Sequence, residues 1–172
     1  MGNLNYSLDL KVLKYLLEKN PEKNFILIGK PQPFIKKGKK ILNYEKRYSN
    51  LKLLGHRPNY LVPLYLSDMD ILFSFKSPKL TRGNDSLKIY EYLAIGKPII
   101  TTPISPAQNF NDFISIAQNK FEFNQYLNKS LKEKENYKSI DKSKLVKHTW
   151  ENRVDFIMKK IKENIFTDLQ KS

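Results

Sequence analysis

The sequence contains no cysteine. That excludes a disulfide framework and a zinc–cysteine site, and it agrees with a cytoplasmic location. No apolar run approaches the ~18 residues that a transmembrane helix needs, and the opening residues do not read as a signal peptide. Histidine is nearly absent, with only His56 and His148, and no Ser-His-Asp or Cys-His constellation points to a hydrolase. Arginine is scarce too: Arg47, Arg57, Arg82 and Arg153 are the only four among 31 basic residues. Acidic residues number 17, so the formal net charge is +14. Such a charge invites nucleic acid, anionic lipid or a phosphorylated substrate. Nucleic-acid surfaces rely on arginine, whose planar fork matches phosphate and guanine. Here the excess is lysine, scattered beside many asparagines, so a generally solvated basic surface is the expectation and nucleic acid is not an expected partner. Weak peripheral contact with an anionic membrane, as at the inner face of the cell membrane, is compatible with the same surplus.

What is present is an alternation of apolar runs and amphipathic stretches. At 172 residues the chain is expected to form one domain with a real core. Ser7 or Asp9 can cap a first helix that buries Leu10, Leu13, Leu16 and Leu17, and Asn20-Pro21 ends it. Residues 25–28 form a continuous apolar run stopped by Gly29, as in a strand buried on both faces. Residues 30–50 read as a polar loop, including the Lys36-Lys37-Gly38-Lys39-Lys40 run, followed by a weak helix over 41–48. Strands are expected at 51–54, 71–75, 99–102 and 113–117, and helices at 61–68, 86–95 and 121–131. Residues 132–144 are charged and expected to be exposed. Thr149 caps a final helix over about 150–165, whose apolar stripe is Val154, Ile157, Met158 and Ile161, with Trp150 as a packing anchor. Strands alternating with helices predict an α/β fold, a Rossmann-like parallel sheet with helices on both faces. Ligands of such sheets bind at the carboxyl ends of the strands. Gly29, Gly55 and the loop 77–86 all fall there.

The richest stretch is Asn84-Asp85-Ser86-Leu87-Lys88-Ile89-Tyr90-Glu91-Tyr92-Leu93-Ala94-Ile95-Gly96-Lys97-Pro98-Ile99-Ile100. Asp85 or Ser86 suits the N-cap, because a side-chain oxygen can take a free first-turn N–H. Gly96 suits the left-handed stop, and Pro98 prevents continuation. Leu87, Tyr90 and Ala94 share one face; Lys88 and Glu91 share another. A cation at a helix N-terminus opposes the dipole, so Lys88 makes sense beside an anion. Backbone N–H groups of Ser86 and Leu87 with Lys88 would bind phosphate, and Glu91, one turn deeper, could accept hydrogen bonds from two sugar hydroxyls. Phosphate next to ribose describes a nucleotide.

This stretch resembles the nucleotide-sugar site of GT-B glycosyltransferases of the group-1, GT4-like branch. Lys88, Glu91, Tyr92, Leu93, Ala94, Gly96, Lys97, Pro98 and Ile99 match its pattern position by position. Phe25-Ile26-Leu27-Ile28-Gly29, Leu51-Lys52-Leu53-Leu54-Gly55, residues 61–71 and the final helix are similar to further segments of the family's C-terminal domain. The resemblance implies a single Rossmann-like donor-binding domain over 1–172 and a hexosyltransferase-like enzyme. Its donor would be a UDP- or GDP-linked sugar, with no metal and no separate cofactor. The acceptor would be a polysaccharide or glycolipid. Donor contacts implied are Glu91 to ribose; Lys88, Ser86 and Leu87 to phosphate; and Asp85 and Arg82 beside them. Gly55, His56 and Arg57 would form the base-binding loop. The apolar strand expected before Gly2 and the N-terminal acceptor-binding domain are absent from the sequence, so the fragment is expected to be inactive alone.

Two departures stand out. Gly83 occupies the position where many members carry a first glutamate, eight residues before the one matching Glu91. Residues 2–9 lack the arginine and lysine that in many members clamp the diphosphate. No catalytic residue is therefore assigned. Two other readings compete: a non-catalytic, degenerate GT-B binding or partner domain, and a basic RNA-binding α/β domain.

Overall fold

The protein is described by a computed structural model. It describes residues 4, 7–77, 86–133 and 137–169, with side chains to residue 163. Arg82, Gly83 and Asp85 lie outside the described residues. The chain divides into two compact units, residues 1–139 and 140–172.

The first unit is α/β. Helix α1 (Leu10–Lys19) begins where the Asp9 carboxylate accepts the N–H groups of Lys11 and Val12. It buries Leu10, Val12, Leu13, Leu16 and Leu17, each such side chain stabilising by about 1.5–3 kcal/mol. Asn20 and Asn50 close its end: the Asn50 amide donates to the carbonyls of Leu17 and Asn20 at 3.1 and 2.9 Å. Strand β1 (Phe25–Ile28) pairs in parallel with β2 (Leu51–Gly55). Between them lies helix α2 (Lys36–Arg47). It starts five residues before the expected 41–48 and absorbs the lysine run. Packing overrides the glycine: Gly38 is buried against the backbone of Gln32, and Ile41 is fully buried.

A 3-10 turn (Asn59–Leu61) leads into α3 (Val62–Ser67), which carries Pro63 in its first turn. Strand β3 (Leu72–Ser74), helix α4 (Leu87–Ile95), strand β4 (Ile99–Thr101), strand β5 (Ile114–Ile116) and helix α5 (Lys120–Lys132) follow. β3, β4 and β5 pair in parallel in that order. Every strand pair is thus parallel, as expected, but the sheet comes in two pieces, β1–β2 and β3–β4–β5. Residues of β1 and β3 line one cavity of about 600 Å³. Leu4, Ser7 and Leu8 line it too, Leu4 bridging Pro31 and Leu8 bridging Lys76 beyond the carboxyl ends of the two strands. One core cluster nevertheless joins α1, β1 and β2 to Phe75, Ile100 and Phe123. Helix α1 packs against α2 and α5, and α3 against α4.

The second unit holds a 3-10 helix (Lys142–His148), capped by Asp141, and α6 (Trp150–Leu169). The Asp141 carboxyl is held below its usual range by the N–H and hydroxyl of Ser143. Thr149 Oγ1 accepts from the Asn152 side chain at 3.0 Å. Trp150 is not a buried anchor: it is 67% exposed, with the Arg153 guanidinium over its ring. Val154, Ile157, Met158 and Ile161 are about half exposed as well.

Candidate functional site

Helix α4 is short and firmly placed. Its buried residues are Ile89, Tyr92 and Leu93; of the face shared by Leu87, Tyr90 and Ala94 none is buried. Leu87 is half exposed, and Tyr90 meets Phe110 edge-on at 5.8 Å. The stagger arises because α4 must cover both α3 and the strand edge, so an i, i+3, i+4 set faces inward. Full burial of Tyr92, with a lesser push from the Glu91 charge, raises the phenol far above its ordinary value. The Tyr92 hydroxyl points to the Phe73 carbonyl at 3.5 Å. Gly96 ends the helix in the left-handed region, φ 78°, and its N–H returns to the Tyr92 carbonyl.

The N-terminus differs from the expected cap. Ser86 occupies the N-cap position, but its hydroxyl caps no helix N–H. Instead Ser86 Oγ accepts from Lys76 Nζ at 3.1 Å. The Ser86 N–H is tied to the Ser105 carbonyl at 3.1 Å, so the first turn is anchored to the loop after β4. Ser86 is buried, Lys88 half-buried and Glu91 exposed. Burial pushes the Lys88 ammonium down, against an opposing pull from Glu91. Burial likewise lowers Lys76, and the charge of Lys88 lowers it further. Both lysines line the cavity beside β3. The arrangement therefore presents two cations, a helix N-terminus and, three residues on, a solvent-facing carboxylate.

Gly55, His56 and Arg57 stand at the carboxyl end of β2. Gly55 adopts φ 70°, open only to glycine without strain, and its carbonyl accepts the Gly29 N–H at 2.8 Å. His56 is exposed. The Arg57 guanidinium lies over the Tyr65 ring of α3 at 5.7 Å, so one of its faces is already stacked. None of these three lines the cavity that Lys76 and Lys88 share; α3, packed on α4, is what links them to the lysines. Ser86, Leu87, Lys88 and Glu91 are brought together on one helix. Lys76 and Thr102 were not singled out by the sequence reading. The usable signal was position: Lys76 lies just past the carboxyl end of β3, the edge where ligands of parallel sheets bind.

No protein-family model matches the sequence, and no curated protein matches it. Solved structures do. The chain superposes on the Anabaena protein HepE (Alr3699), solved in complex with UDP-glucose, with a TM-score of 0.58 at 18% identity over 79% of this chain. It superposes on WaaG, a glycosyltransferase involved in lipopolysaccharide biosynthesis, with a TM-score of 0.52 at 16% identity over 76% of this chain. With AviGT4, a glycosyltransferase involved in avilamycin A biosynthesis, the TM-score is 0.50 at 11% identity over 74% of this chain. The chain spans 40%, 38% and 40% of the length of these three structures. Its fold is that of one half of a GT-B glycosyltransferase, matching the C-terminal domain.

Proposed function

We propose that residues 1–172 act as the donor-binding domain of a glycosyltransferase. The enzyme would move a sugar from a UDP- or GDP-linked donor to a polysaccharide or glycolipid acceptor. The observation that carries this reading is the start of α4: half-buried Lys88 in the first turn and exposed Glu91 three residues on, at the carboxyl edge of parallel strands. In this reading Glu91 accepts the ribose hydroxyls. Lys88 and the N–H groups of Ser86 and Leu87 take the phosphates, Asp85 and Arg82 border them, and the loop Gly55-His56-Arg57 meets the base.

Transfer breaks the sugar–phosphate bond, and the departing nucleoside diphosphate gathers negative charge. Fixed cations and aligned N–H groups stabilise that charge without reorganising. The acceptor and any general base belong to an N-terminal domain outside this sequence, so the isolated chain should bind nucleotide and transfer little. A cytoplasmic location at the inner membrane face fits this role, and among the described residues no helix is long and apolar enough to cross a membrane. Calorimetric titration with UDP, GDP and ADP tests the reading. One diphosphate should bind selectively, and Glu91→Ala should weaken it about tenfold, or ~1.4 kcal/mol. Equal indifference to all three would count against a donor site.

Gly83, standing where many GT-B members carry a glutamate, favours a second reading: a non-catalytic binding or partner domain. Both readings predict nucleotide binding. Only the enzyme predicts sugar transfer once the chain is joined to an acceptor domain.

A further inference from the structure

The backbone of Lys76 is fixed from two sides. On one, Leu8 bridges it, flanked by Asp9 N–H to the Phe75 carbonyl (2.9 Å) and Ser77 N–H to the Ser7 carbonyl (2.8 Å). On the other, Thr102 holds it twice. The Lys76 N–H donates to Thr102 Oγ1 at 3.1 Å, and that hydroxyl donates to the Lys76 carbonyl at 2.6 Å. The side chain then crosses to α4, where Nζ donates to Ser86 Oγ, and Ser86 is only 5% exposed.

Lysines ordinarily keep their ammonium groups in water while burying the stem. Here two do not. Lys76 and Lys88 are both half-buried and line the same cavity, and the charge of Lys88 reaches Lys76. Among the described residues no carboxylate stands within ion-pair distance of either. Bringing two like charges together in a partly dehydrated corner is unfavourable. Glu91 offsets part of that cost at Lys88, and a ligand with comparable negative charge would offset it at both lysines. An ammonium carries three N–H donors. Ser86 takes one from Lys76, which leaves two for a ligand. The two lysines come from different elements, the end of β3 and the first turn of α4, so they can grip two neighbouring anionic groups and not just one.

We infer that Lys76 and Lys88 form a two-cation clamp for the adjacent phosphates of a diphosphate, with Thr102 and Ser86 holding Lys76 in position. The inference rests on the donor-site reading of α4 and deepens it. Lys76 becomes the second phosphate cation, in a chain whose residues 2–9 supply none. The chemistry recognised is the diphosphate itself, free or carried by a nucleoside.

Calorimetry of the whole chain with inorganic pyrophosphate, UDP, GDP and uridine separates the possibilities. Lys76→Met should weaken pyrophosphate and the bound nucleoside diphosphate at least tenfold and leave uridine unchanged. Lys76→Arg should keep most of the affinity. Lys76→Met removes a repelling charge but also the donor to the buried Ser86 hydroxyl, so a melting curve checks that the variant is folded at the titration temperature. A second readout needs no variant. Pyrophosphate should move the Nζ titrations of Lys76 and Lys88 upward toward the ordinary lysine range in NMR, and an unmoved Lys76 overturns the clamp. Diphosphate affinity unchanged in Lys76→Met overturns it as well, while leaving the donor reading intact. Pyrophosphate binding that depends on Lys76, without any nucleoside diphosphate binding, keeps the clamp and removes the donor reading. Binding of neither overturns both.

Discussion

Lys88 sits where a lysine's charge is disfavoured. It lies in the first turn of a helix, against the dipole, half-buried and near a second cation. Its charged form is disfavoured in the fold by burial, and Lys76 behaves alike through burial and the Lys88 charge. The unfolded chain therefore holds these protons more tightly than the folded one. The destabilisation is fully present at neutral pH and fades as pH rises from the lowered folded values toward the ordinary 10.5. Lys88→Met should raise the melting temperature of the empty protein at pH 7 and lose that advantage near pH 10.5, as calorimetry would register. The same change should weaken nucleoside diphosphate binding about tenfold, ~1.4 kcal/mol. A variant that melts lower and binds as well as the parent would mean that Lys88 serves packing.

At the scale of elements, legibility followed locality. The stripe of α1, the apolar run of β1 and the glycine stop of α4 are written in neighbouring residues, and the sequence alone places them. Helix α2 is not. Lys36-Lys37-Gly38-Lys39-Lys40 reads as a breaker, yet Gly38 is there because a Cβ would fall 1.9 Å from the Gln32 carbonyl oxygen. Alanine would gain up to about 1 kcal/mol of helix propensity. Displacing backbone costs typically 1–3 kcal/mol, so the clash wins. Gly38→Ala should lower the urea midpoint, whereas a midpoint at or above the parent's would show that the turn at Gln32 moves freely. Asp9→Ala should cost about 1 kcal/mol by loss of the α1 cap, read from the same urea curves. Lys76 escaped the sequence reading for a related reason. Its partners Ser86 and Thr102 lie 10 and 26 residues away, a pairing that only the assembled sheet edge creates. The resemblance to GT-B proteins supplied what periodicity could not, the proposal that Glu91 meets a ribose. The capping rule offered Asp85 or Ser86 as the α4 cap; the Ser86 hydroxyl instead holds Lys76.

For the whole molecule, the +14 charge and the scarcity of arginine favour diffuse attraction over specific nucleic-acid readout. Association with phosphatidylserine vesicles should be weak near 0.1 M salt and vanish near 1 M, as the screening length falls from ~10 to ~3 Å; co-sedimentation that survives high salt would require a hydrophobic anchor. The parallel strands come in two pieces; β2 and β3 end, and α4 starts, at their carboxyl ends, where ligands of parallel sheets bind. The central claim is that Glu91 reads the ribose of a nucleoside diphosphate. A double-mutant cycle tests it directly: the parent and Glu91→Ala, each titrated with UDP and 2′-deoxy-UDP, or with the guanosine pair if GDP binds better. Removing the hydroxyl should weaken binding to the parent several-fold and leave the variant indifferent, giving a coupling energy well above the ~0.5 kcal/mol of independent sites. Strictly additive losses, or a parent that binds neither nucleotide, would contradict the account.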